Sequence, residues 1–165
     1  MRIAYVCADP GIPCFGQKGS SFHVQEIMRA FRSLGAEVDL FATRIDGEAP
    51  ADMQTIRAHA LPPAPKGDVA KREQMSLAAN GELRIALERE GPFALVYERY
   101  SLWSFAAMEF ARDHGIPGVL EVNAPLIEEQ ATYRKLVHRI EAEGVAERVF
   151  RAASVVVAVS QEMAT

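Results

Sequence analysis

The residues able to do chemistry gather in four short segments: Asp9 to Ser21, Glu98 to Ser101, Asn123 to Glu129, and Ser160 onward. The first is the most informative. Gly16, Lys18, Gly19, Ser20 and Ser21 lead from a loop into a helical pattern. A glycine-bearing loop that opens a helix presents free backbone N–H groups and the positive end of the helix dipole, which together suit an anionic phosphate. The same glycines would equally serve the turn alone. His23 falls in the first turn of that helix, where the dipole disfavours its charged form and leaves a neutral imidazole able to donate to a sugar or phosphate oxygen. A structural role for a lone helical histidine is the competing reading.

The second segment reads Tyr97-Glu98-Arg99-Tyr100-Ser101. Arg99 could hold an anion as a bidentate fork, and Tyr100 could stack on a sugar ring. An ion pair between Glu98 and Arg99 that orders the loop accounts for the same residues. In Glu121-Val122-Asn123-Ala124-Pro125 the carboxylate lies inside an apolar run and needs a partner if buried. Asn123 offers a neutral amide for hydroxyl recognition.

Buried strands must position these groups. Ile3 to Ala8, Val38 to Ala42, Ala94 to Tyr97, Gly118 to Val122 and Val155 to Val159 are apolar nearly throughout, the pattern of strands covered on both faces. Gln54 to Ala60 is a weaker strand. Between them, Val24, Ile27, Met28, Phe31 and Leu34 recur at helical spacing behind a Ser20 or Ser21 N-cap, and Gly35 ends that helix. Further helices are expected from about Val69 to Glu90 with a break at Asn80-Gly81, from Leu102 to His114, and as one long helix from Leu126 to Arg151. Alternating strands and helices predict a Rossmann-like three-layer α/β sandwich with a mostly parallel sheet. Such sheets place their functional loops at the carboxyl ends of strands, where all four segments lie.

Composition narrows the classes. The 165 residues are 49% hydrophobic and 24% charged, as expected of one globular domain. A net charge of −4 argues against a nucleic-acid partner. No apolar run reaches the roughly 20 residues of a membrane span, and the start Met-Arg-Ile-Ala-Tyr-Val-Cys enters a strand at once, unlike a secretory signal. Cys7 and Cys14 are too few for a disulfide framework or zinc site, so a core residue and a free loop thiol in a cytoplasmic protein are expected. The helix bearing Arg134, Lys135, His138, Arg139, Arg148 and Arg151 also carries Glu141, Glu143 and Glu147; a solvated face is favoured, with peripheral contact at an anionic membrane left open. A dinucleotide fingerprint fits poorly, because Cys14-Phe15-Gly16-Gln17-Lys18-Gly19 lacks its first glycine. An NAD(P)-binding oxidoreductase or epimerase domain, and a noncatalytic partner-binding α/β module, remain the alternatives.

The run Lys18-Gly19-Ser20-Ser21-Phe22-His23-Val24, with Leu34-Gly35-Ala36-Glu37-Val38 behind it, resembles the G-G-x-E-x-H-V…G-H-E-V signature of family 4 of the retaining glycosyltransferases. Gly19 matches its second glycine and His23 its histidine. Tyr97 to Ser101, Glu121 to Pro125 and Val155 to Ser160 also resemble segments of those N-terminal domains. Lys18 and Ser21 replace the signature's first glycine and glutamate, and Asn123 stands where many members carry a histidine. The resemblance implies that residues 1–165 form the N-terminal, acceptor-side half of a GT-B fold, with a C-terminal donor domain absent from this chain. It further implies transfer of a hexose from a nucleotide diphosphate sugar to a lipid, saccharide or small-molecule acceptor with retention, without metal or other cofactor. The loop Gly16 to Ser21 would then contact the donor phosphates, and His23, Glu98, Arg99, Tyr100 and Asn123 the sugar or acceptor. The isolated domain is expected to be inactive. Glu-x7-Glu spacings at Glu82/Glu90, Glu90/Glu98 and Glu121/Glu129 match the family's donor-domain motif only by coincidence of spacing.

Overall fold

The computed structural model describes residues 1–164. Six strands, β1 (Arg2–Cys7), β2 (Glu37–Ala42), β3 (Arg57–Ala60), β4 (Leu95–Arg99), β5 (Gly118–Val122) and β6 (Val155–Ala158), form one sheet in the order β3-β2-β1-β4-β5-β6. Every neighbouring pair is parallel, with registers such as Ile3 against Val38 on one side and Leu95 on the other. The chain winds outward from β1 to β3, then crosses back and winds the other way from β4. The switch point between β1 and β4 is where such sheets open a crevice at their carboxyl ends.

Six α-helices connect the strands: α1 (Gly19–Ser33), α2 (Val69–Ala78), α3 (Asn80–Glu90), α4 (Ala106–Asp113), α5 (Leu126–Tyr133) and α6 (Arg139–Ala152). Short 3-10 turns lie at Ala51–Met53 and Gln161–Ala164. On one face of the sheet Ile3, Tyr5 and Leu40 pack with Val24 and Met28 of α1. On the other, Ala4, Val96 and Leu120 pack with Leu87 of α3, Met108 of α4 and Val149 of α6. Each fully buried aliphatic side chain of this kind contributes about 1.5–3 kcal/mol. The Rossmann-like three-layer sandwich is therefore the observed architecture.

Several boundaries differ from those expected. α1 begins at Gly19 with Lys18 in the capping position and no side-chain cap, so Ser20 and Ser21 lie inside the first turn instead of capping it. Gly35 ends it with φ +83°, as its left-handed position requires. The break between α2 and α3 falls at Ala79, and Asn80 opens α3. α4 starts at Ala106, four residues after Leu102, because Ser101 to Phe105 form a turn held from outside the segment. The long helix expected over 126–151 is two helices, interrupted where the carboxylate of Glu73 binds the backbone N–H groups of Val137 and His138. β3 is confined to its last four expected residues. β6 is apolar yet exposed, with Val155 at 51% and Val157 at 41%, because it is the edge strand.

Cys7 and Cys14 are both free and buried. Cys14 does sit in a loop, but a closed one. The hydrogen bond between the thiols, together with burial, raises the Cys7 pKa well above the ordinary thiol value.

Candidate functional site at the carboxyl edge of the sheet

The loop from Asp9 to Lys18 follows β1 at the switch point, and the fold holds it firmly. The buried amide of Gln25 donates to the carbonyls of Cys14 (2.9 Å) and Gly16 (3.1 Å), tying the loop to its own helix. Cys14 and Phe15 donate backbone N–H groups to Arg44 and Ile45 beyond β2. Gly16 packs so tightly that a β-carbon there would lie 2.7 Å from Pro13, whereas a β-carbon on Gly19 would meet nothing within 4 Å. The turn at Gly19 is open. The N–H groups of Gly19, Ser20 and Ser21 precede the first intrahelical bond, Phe22 N–H to Lys18 carbonyl, and remain unpaired as in any helix start. Beside them the Ser21 hydroxyl is buried without a hydrogen-bond partner among the described residues. The Lys18 ammonium reaches back to the Gly11 carbonyl (3.3 Å).

His23, one turn on, is held by Glu121. Nε2 lies 2.8 Å from Glu121 Oε1; a carboxylate only accepts, so this nitrogen carries the proton. Glu121 is buried on β5 and also receives the Tyr97 hydroxyl and Arg99 Nη1 (3.3 Å). Burial pushes the Glu121 carboxyl upward, but hydrogen bonds from Tyr97, Asn123 and His23 outweigh it and leave the pKa below the ordinary carboxylate value. Tyr97 is itself wedged between Tyr5 and Phe31 at ring separations of 5.5 and 5.2 Å, so it cannot swing away. The partner that Glu121 needs is therefore a cluster drawn from α1, β4 and the strand end.

The structure brings His23 and Arg99 together around Glu121, and Asn123 follows the same strand with its amide oxygen buried and unpartnered. It does not bring Glu98 or Tyr100 to them. Glu98 points to the opposite sheet face, 0% exposed, with one oxygen bonded by the Ser104 hydroxyl. Burial lifts its pKa to about 7. Tyr100 is 7% exposed, packed edge-on against Phe150, and burial raises its hydroxyl to about 12. No Glu98–Arg99 pair forms, because successive strand residues point to opposite faces. Glu98 and Tyr100 are thus buried apart from the Glu121 cluster.

A cavity of about 800 Å³ opens on that second face, bounded by the ends of β1 to β4 and by α2 and α5. Asp9 and Gly11 of the switch-point loop line it, and Lys18 bonds Gly11, so the cavity and the open turn share one loop. Its walls depend on residues the sequence did not single out. Asn80 donates to the carbonyls of Leu77 (2.8 Å) and Trp103 (2.7 Å) and accepts from Phe105 and Ala106, capping α4 from a distant helix. Asn80 was visible only as a helix break. Among the described residues, no group of three or more His, Cys, Asp or Glu side chains gathers as a metal site would require.

The model of the family described as "Glycosyl transferase 4-like domain" matches residues 18–165. A search of curated proteins returns no match. Among solved structures, the chain is similar to sucrose-phosphate synthase from Thermosynechococcus elongatus, at a TM-score of 0.59 and 16% identity over 94% of this chain and 41% of that one. It is also similar to MurG of Acinetobacter baumannii, at 0.54 and 12% over 98% and 42%. A UDP-glucosyltransferase from Polygonum tinctorium gives 0.54 and 12% over 98% and 47%. At these identities the likeness speaks for the fold, and the chain spans less than half the length of each of these three. The six-stranded parallel sheet, its switch-point loop and the family match over residues 18–165 converge: this chain belongs to the glycosyl transferase 4-like domain family and has a Rossmann-like fold similar to part of each of these three structures.

Proposed function

We propose that the protein containing this chain transfers a hexose from a nucleotide diphosphate sugar to an acceptor held in the 800 Å³ cavity. The observation that carries the reading is the open turn at Gly19, where N–H groups at the start of α1 are unpaired among the described residues, on the same loop that lines the cavity at Asp9 and Gly11. As the bond from the anomeric carbon to the diphosphate breaks, charge grows on the leaving phosphate oxygen. Fixed N–H donors and the α1 dipole stabilise that charge without reorganising. The acceptor hydroxyl oxygen forms the new bond, and its proton passes to the departing diphosphate. Attack from the face the diphosphate leaves gives retention. No bound metal is required in this scheme, since the helix start supplies the positive field. His23, oriented by Glu121, donates to or accepts from a sugar hydroxyl through its remaining nitrogen.

In this scheme a second α/β domain closes over the donor and excludes water, and the domain described here acts at the cytoplasmic side. The test is nucleoside diphosphate release by the intact protein across a panel of nucleotide sugars, with Gly19→Leu as the comparison. The expected result is release that depends on acceptor and falls at least about a hundredfold in the variant, because the leucine side chain keeps the phosphate from approaching the N–H donors, an effect on the scale of losing one such donor. Unchanged kinetics in the variant would remove the turn from the site.

A further inference from the structure

Part of the cavity's polar lining, on the side of the sheet, is occupied with the protein itself. The Thr43 hydroxyl donates to the Ala8 carbonyl (3.0 Å), Ser101 to the Arg99 carbonyl (3.2 Å), and Ser104 to Glu98. Asn80 has both amide hydrogens and its oxygen engaged. Glu73 takes the N–H groups of Val137 (3.0 Å) and His138 (2.8 Å) and the His138 ring (2.8 Å), so its charge is met by the start of α6. The Gln130 amide donates to the Lys135 carbonyl. A saccharide acceptor needs many free partners for its hydroxyls, and leaving them unmatched costs about 1–3 kcal/mol each. These residues offer few, and among the described residues the free polar side chains of the lining are Ser76, Glu129, Tyr133 and the cations Lys66, Arg72 and Arg134. What the lining also offers is apolar surface: Leu61, Pro62, Met75, Leu83, Leu102 and Trp103.

Three cations and three carboxylates line the cavity, and they differ in how far the protein engages them. Lys66, Arg72 and Arg134 line it, all exposed, and among the described residues none makes a side-chain hydrogen bond or ion pair. They belong to the loop after β3, to α2 and to the end of α5, the elements that enclose the cavity away from the sheet. The opposing carboxylates are Asp9, Glu73 and Glu129; Glu73 is bound by the start of α6, and Asp9 accepts the Gly11 N–H (2.7 Å). Most arginines elsewhere in the domain are paired, such as Arg148 with Glu109 and Arg84 with Asp113. Free guanidinium groups in a lining that also holds an apolar wall suit an anion attached to an apolar body.

Resting on the reading of this cavity as the acceptor side, we infer that its ligand is an amphipathic anion. An apolar body lies along Trp103 and the proline loop, and one phosphate or carboxylate is held by Arg72 and Arg134. Trp103 is the chain's single tryptophan, so its emission reports on the cavity directly. The experiment titrates the chain, below micelle formation, with octyl phosphate, octyl glucoside and inorganic phosphate.

Octyl phosphate is expected to shift Trp103 emission to the blue and saturate. Octyl glucoside, with the same tail and a neutral head, should bind about tenfold more weakly, the worth of one or two charge-assisted hydrogen bonds. Inorganic phosphate alone should leave the emission unchanged. Circular dichroism should show Arg72→Gln/Arg134→Gln folded, as expected for exposed side chains, with octyl phosphate binding reduced to the octyl glucoside level. Equal binding of the two octyl ligands, a full shift with inorganic phosphate, or undiminished octyl phosphate binding by the double variant would each overturn the inference.

Vesicles of phosphatidylcholine with and without phosphatidic acid assign the source. A Trp103 shift only with phosphatidic acid supports an anion presented by a bilayer. No shift with either, alongside octyl phosphate binding, supports a dissolved one. Nucleoside diphosphate release by the intact protein separates the two layers of the argument. Release without octyl phosphate selectivity defeats the inference alone, and selectivity without release defeats the transfer reading while the ligand class stands.

Discussion

Gly16 and Gly19 lie in one loop but under opposite constraints. A side chain on Gly16 collides with the Pro13 ring and carbonyl, so Gly16→Ala is expected to cost about 1–3 kcal/mol by overpacking, read as a lowered urea midpoint. Gly19→Leu projects into open space and is expected to leave that midpoint within about 1 kcal/mol, since helix propensity favours leucine over glycine. The two carboxylates on adjacent strands are likewise opposed. Glu98 titrates near 7 when folded against 4.5 as its reference, so the native state holds a proton that the unfolded chain releases. Stability is then greatest below the reference value and falls as pH rises toward 7, by about 3 kcal/mol. Glu121 is depressed, so its contribution is present above its reference value and is lost as pH falls through its folded pKa. Glu98→Gln should flatten the loss between about pH 5 and 8 in chemical denaturation; a wild-type slope persisting in the variant would refute the assignment. His23 and the need of Glu121 for a partner were readable from the sequence, but their mutual bond was not. Ninety-eight positions separate them, and no local pattern encodes that contact.

Elements show the same division. Strand existence followed from apolar runs, and the sheet class from their alternation with helices, because both are set by burial along the local chain. Helix ends were less legible because distant side chains set several of them. Asn80 caps α4 from α3, and Glu73 occupies the start of α6 from α2. No serine or aspartate adjacent to either helix does the work that sequence rules look for. One kinked pair, α2 and α3, thereby holds the Trp103 turn and the chain before α6, two walls of the cavity. Asn80→Ala removes the cap and leaves the Trp103 carbonyl without its donor, an expected loss of about 2–3 kcal/mol. Trp103 emission should move toward the red well before global unfolding in a urea series. Coincident transitions by emission and circular dichroism would show that the turn is held by other contacts.

At the scale of the whole molecule, the sheet presents one finished edge and one unfinished one. Its amino end is closed by short turns, whereas its carboxyl end carries the open Gly19 turn, the Glu121 cluster and the cavity, all on loops of one domain. Glycosyl transfer needs the donor's anomeric carbon held within reach of the acceptor hydroxyl, with water kept away. A helix start can steady a diphosphate but cannot by itself grip a nucleotide, and three of the solved structures similar to this chain run to more than twice its length. Residues 1–165 alone are therefore expected to show no sugar transfer above background with any nucleotide sugar. Octyl phosphate should still bind the same polypeptide, since Trp103, Arg72 and Arg134 all belong to it. Joining the two measurements on one preparation makes the outcome decisive: ligand binding certifies the fold, so absent turnover is the result that the proposed two-domain scheme requires. Transfer by that preparation would instead mean that the loop, His23 and the cavity suffice for chemistry, and the two-domain account of catalysis would fail.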